Sequence, residues 1–171
     1  YNMDASCVVV ELTESVLVAD TVMVRNSFEL LKKYGIQIAL DDFGTGYSSL
    51  HSLAELPIDI VKFDMSFVRR LHEPREQVVM QGCVDLIKRL QMKTIAEGVE
   101  DANTSQMIAD FGIDAIQGYY YSKPVPKDEF MNKVNQSILY SGINCEILDC
   151  YELMQGSIFD VPANAEKYKR L

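Results

Sequence analysis

Five short apolar runs, each followed by a stretch of helical patterning, leave this chain few architectures to fold into. The runs are "CVVVEL" (7–12), "IQIAL" (36–40), "IDIVKFD" (58–64), "MKTIAE" (92–97) and "IDAIQG" (113–118). Most are near-continuously apolar and rich in Val and Ile, as parallel strands covered by helices are. The segment 22–35 repeats apolar residues at helical spacing through Val24, Phe28 and Leu31, then stops at Gly35 behind two lysines. Similar patterning covers 48–57, 76–91, 103–112 and 126–140. Strand and helix alternating five times implies right-handed βαβ units around a parallel sheet, either open or closed as a barrel.

The polar residues sharpen that reading. Glu11 ends the first strand, Asp41 and Asp42 the second, Lys62 and Asp64 the third, Glu97 the fourth and Gln117 the fifth. In parallel α/β folds the carboxyl edge of the sheet is where ligands bind. One acid at a strand end is ordinarily a cap or a turn residue, but five strands in succession are not explained that way. Glu11, Asp41, Asp42 and Glu97 are hard oxygen donors, suited to Mg²⁺ or Mn²⁺ rather than to a zinc site. Asp41 and Asp42 would diverge on a regular strand, so the chain must turn there, with Gly44 and Gly46 supplying the freedom. Lys62 and Asp64 stand two apart and are expected to face the same way, with Lys62 aimed into the site.

Bulk properties exclude other classes. The formal net charge of −9 argues against a broad footprint on nucleic acid or anionic membrane. No apolar run approaches the length of a membrane span. Cys7 and Cys83 lie in apolar stretches and read as buried free thiols, which fits a reducing cytoplasm. Residues 1–140 read as one domain, and 141–171, which break the strand–helix rhythm, as a C-terminal extension.

Five stretches together resemble the EAL-domain phosphodiesterases of bacterial cyclic-di-GMP signalling. They are "VVVELTES" (8–15), "LDDFGTGYSSL" (40–50), "LPIDIVKFD" (56–64), "TIAEGVE" (94–100) and "IQGYYYSKP" (116–124). The resemblance implies an α/β barrel of TIM type that hydrolyses cyclic-di-GMP to the linear dinucleotide with two Mg²⁺ or Mn²⁺ ions. It implies Glu11, Asp41, Asp42 and Glu97 as metal ligands, with Asp42 bridging or binding the second ion. Lys62 would hold the catalytic water, Glu97 would double as an acid/base partner, and Gln117 would contact substrate. Glu14 would brace the loop bearing Gly44 and Gly46, and Asp64 and Glu100 would support the site from behind.

The E-A-L tripeptide that names that family is absent from the sequence. The expectation is therefore an incomplete barrel of about five βα units, the C-terminal part of such a domain. Weak or absent turnover is expected of it, and pairing with a second copy to cover its open edges. The alternative to an enzyme is a module that binds cyclic-di-GMP without cleaving it.

Overall fold

The computed structural model describes residues 4–13, 21–45, 50–133 and 158–160. Five parallel strands run in chain order: β1 (Val9–Thr13), β2 (Gln37–Phe43), β3 (Ile60–Phe63), β4 (Lys93–Ala96) and β5 (Ala115–Gln117). A short sixth strand, β6 (Ile158–Asp160), lies antiparallel to β5 and comes from the C-terminal extension. The helices include α1 (Thr21–Lys33), α2 (Leu50–Glu55), α3 (Met65–Arg69), α4 (Pro74–Arg89) and α5 (Ala102–Asp110), and residues 127–133 are also helical. Sequential parallel pairing with helical crossovers is the order of a TIM-type barrel, and this is part of one.

The helix boundaries follow local chemistry. α1 ends in Lys32 and Lys33, cations that suit a helix C-terminus, and the chain reverses through Gly35 at φ 81°. α4 starts on Pro74, whose missing N–H costs nothing at the first position. Asp101 caps α5 by accepting from Thr104 N at 2.9 Å. The periodicity of the sequence does not announce α3, which has only five residues.

Two cores divide the sheet's faces. The larger, between sheet and helices, includes Ile38, Leu40, Phe43, Val61, Phe63 and Ile116. The smaller consists of Ala39, Ile60, Ile95 and Ala115, with Val9 packed against them. These five come from five different strands and alternate with the larger core, so they line the concave side. Two residues beyond each, by the same period of two, stand Asp41, Lys62, Glu97, Gln117 and Glu11. The mouth is thus built as an apolar layer with a polar layer above it.

A repeated device ties the strands at their amino ends. Asp59, just before β3, accepts from Ile38 N of β2 at 2.8 Å and pairs with Lys32. Asp114, just before β5, accepts from Thr94 N and Thr94 Oγ1 of β4, both at 2.8 Å. Each acid locks the strand preceding its own in the sheet, opposite the functional edge.

The cysteines divide. Cys83 is free and half-buried, but Cys7 is disulfide-bonded, its partner outside the described residues. The free thiol expected at Cys7 is corrected accordingly. Cys7 is only partly buried, at the β1 side of the sheet rather than inside the core.

Candidate functional site

The centre of the polar layer is Lys62. It is 5% exposed, on a strand buried throughout. Its Nζ lies 2.9 Å from Glu11 Oε1, 3.0 Å from Asp41 Oδ1 and 2.7 Å from Glu97 Oε1. Four adjacent strands therefore deliver one ammonium and three carboxylates to a single point. Register explains how. Lys62 is level with Ile95 across β3–β4, while Glu11 is level with Ala39 across β1–β2. The polar residues step upward from β1 to β4, and strand tilt of roughly 36° in such barrels brings those steps to one height.

The acid pair is arranged by a local irregularity. β2 continues through both aspartates to Phe43, and its pairing with β3 shifts register between Leu40 and Phe43. Asp42 itself has φ 59°, the left-handed conformation that Asp tolerates better than most residues. The turn expected from Gly44 and Gly46 thus starts two residues before Gly44, at Asp42. Gly44 follows at φ 98°, where a Cβ would come within 2.8 Å of the Phe67 ring. Phe43 packs edge-on against Phe63 at 5.5 Å, and Phe63 against Phe67 at 5.9 Å. That aromatic stack backs the bulge.

Glu97 is held by a second tight turn. Its N–H donates to Phe63 O at 3.0 Å, extending the β3–β4 ladder by one residue. Gly98 then takes φ 71°, and a Cβ there would lie 2.4 Å from Met65 Cγ. Gln117 ends β5 beside it, and Gly118 lets the chain pass so close to Val99 that a side chain would overlap its backbone.

Asp64 and Glu100, also expected at the site, bond to other partners. Asp64 does not share Lys62's direction, because the strand stops at Phe63. Its carboxylate caps α3 by accepting from Ser66 N at 2.8 Å. Glu100 pairs with Arg69 at 2.9 Å in an exposed salt bridge. Glu14 and Gly46 lie outside the described residues.

The electrostatics are those of a cation site. Burial alone would lower the Lys62 pKa; Glu97, Glu11 and Asp41 outweigh it and hold it above its ordinary value. Burial raises the Glu97 carboxyl above the usual range, against the lowering effect of Lys62 and with help from Asp41 and Glu11. Three carboxylates against one ammonium leave net negative charge. Asp41 Oδ1 is buried and, although in charge contact with Lys62, has no hydrogen-bond partner. A buried carboxylate oxygen whose contact is an ammonium, beside two further acids, fits a hard divalent cation. Among the described residues, however, no three acidic, histidine or cysteine side chains already form a metal cage, because the acids close on Lys62.

Fold and site together define a partial TIM-type barrel with a carboxylate–lysine cluster at its carboxyl edge. A profile of the EAL domain family matches residues 1–124, and the chain belongs to that family. Cyclic di-GMP phosphodiesterase PdeR of Escherichia coli is 39% identical over 130 residues, which cover 75% of this chain and 20% of PdeR. The chain spans about a fifth of the length of the curated relatives it matches. The solved PaMucR phosphodiesterase, a c-di-GMP complex, superposes with a TM-score of 0.69 at 33% identity, covering 74% of this chain and 52% of that one. BlrP1 of Klebsiella pneumoniae, a manganese/cy-diGMP complex, has a TM-score of 0.67 at 30% identity, covering 71% and 31%.

Proposed function

We propose that this chain carries the carboxylate–lysine part of a cyclic-di-GMP phosphodiesterase site. The observation that supports it most is the convergence of Glu11, Asp41 and Glu97, from separate strands, on the buried ammonium of Lys62. Glu11, Asp41, Asp42 and Glu97 would hold two divalent ions, Mg²⁺ or Mn²⁺. Those ions would neutralise charge at phosphorus and acidify a water. The chain's own residues do the rest. Lys62 orients the attacking water and offsets charge in the transition state. Glu97, whose carboxylate lies 2.7 Å from Lys62, would help move the proton as a P–O ester bond breaks and the leaving oxygen is protonated. Gln117 offers an amide to the nucleotide at the rim.

The reading is tested by incubating the chain with cyclic-di-GMP and Mn²⁺ or Mg²⁺ and following the nucleotide by chromatography. Conversion to the linear dinucleotide, lost in Asp41→Asn, supports it. The E-A-L tripeptide is not in the sequence, so slow turnover is expected of these residues alone. Binding without any conversion favours the second reading, a non-catalytic cyclic-di-GMP sensor. Neither binding nor conversion, with metal present, defeats both.

A further inference from the structure

The acids that would hold metal are engaged by a lysine, and this raises the question of how a cation enters. Lys62 offers three N–H donors, and three carboxylates surround them at 2.7–3.0 Å. Because Nζ lies at the point where those carboxylates converge, a divalent ion cannot share it. Its own charge would also repel the ammonium. We propose that Lys62 and the first divalent cation are alternative occupants of one carboxylate cluster, so that metal entry expels the ammonium from between Glu11, Asp41 and Glu97. The inference rests on the metal reading above and adds a step to it. In the metal-free protein Lys62 acts as a resident counter-ion that keeps the three acids gathered.

Three features favour the exchange. A doubly charged ion neutralises three carboxylates better than a single ammonium does. The lysine's flexible four-carbon stem lets its charge withdraw without moving β3, which is buried throughout. The access side is also identifiable. Glu11 is 52% exposed, against 23% for Asp41 and 20% for Glu97. An incoming ion meets Glu11 first and reaches the buried oxygen of Asp41 once Lys62 has moved.

The test compares this chain with its Lys62→Met variant by calorimetric Mn²⁺ titration and by thermal unfolding in EDTA and in Mn²⁺. Methionine keeps much of the bulk and removes the charge. The variant is expected to bind its first Mn²⁺ about tenfold more tightly, having no internal competitor. It is also expected to melt lower in EDTA and to gain more from added metal. Equal or weaker Mn²⁺ binding by the folded variant overturns the exchange. If Lys62→Met does not fold, the unsubstituted chain decides through the ¹⁵N signal of the Lys62 ammonium. That signal is expected to be shielded from solvent exchange in EDTA and to lose the shielding on saturation with Mg²⁺. Shielding that survives saturation overturns the proposal. A chain that takes up neither Mn²⁺ nor Mg²⁺ overturns the metal reading and the exchange with it. The absence of any binding signal distinguishes that outcome from equal affinities.

Discussion

Asp42 shows how one residue's backbone can serve a site. Consecutive side chains on a strand point to opposite faces, so two adjacent acids cannot both be used without an irregularity. Here the irregularity is at the second acid, at φ 59° beside a shift of register. Left-handed backbone costs about 1–2 kcal/mol in a residue with a Cβ, and Asp bears it more easily than a branched side chain does. Asp42→Val is therefore expected to be less stable than Asp42→Gly by about 1–2 kcal/mol. Both variants lack the carboxylate, so the difference, read from urea unfolding, isolates the backbone. Equal stabilities would show that the left-handed turn is not retained. Both variants should lose any phosphodiesterase activity, which separates the acid's chemistry from its conformation.

At the level of elements, the functional edge depends on the opposite edge. Asp114 accepts two hydrogen bonds from Thr94, which is fully buried, and β4 carries Glu97 one residue beyond its last regular position. Asp114→Ala would leave Thr94 donors without their acceptor, at a cost of about 1–3 kcal/mol for each buried donor. The expected result is a fall in stability of about 3 kcal/mol in urea, with an unchanged denaturant slope. A loss within a few tenths of a kcal/mol would mean that the strand does not need its latch. The latches were only half legible. "IDIVKFD" and "IDAIQG" share an Ile-Asp opening, and that repetition is a visible signal. Nothing in it says that the acid reaches the neighbouring strand rather than capping its own turn. α3 was not legible at all, since five residues are too few for a period to register. That omission misplaced Asp64, which reads as Lys62's strand neighbour but caps the helix that begins after Phe63.

For the whole molecule, the question is the sheet's edges. Among the described residues β1 pairs only with β2, while β5 is covered by the antiparallel β6. A strand edge that stays unpaired is a template for association, and a second copy of the chain would cover it. Light scattering at micromolar concentration is expected to give twice the 19.4 kDa chain mass. Gln37 N donates to Val8 O, so in a parallel ladder Val8 and Val10 face β2 and the N–H of Val9 faces the other way. Replacing Val9 with Pro, which cannot donate to a ladder, should shift the equilibrium toward monomer. A monomer at all concentrations would count against edge pairing.

By itself the sequence determined the parallel α/β class, the five strands and the polar residue each delivers, because burial on both faces and a period of two are local patterns. The family likeness was equally local, carried by short motifs in order. It could not show that Glu11, Asp41 and Glu97 meet on one ammonium, or that Asp64 caps α3 and Glu100 pairs with Arg69. Those facts depend on register, tilt and a one-residue bulge, which are properties of strand pairs and not of strands. Only the tertiary structure decided them, since the distance between residues on different strands is set by how the strands pack.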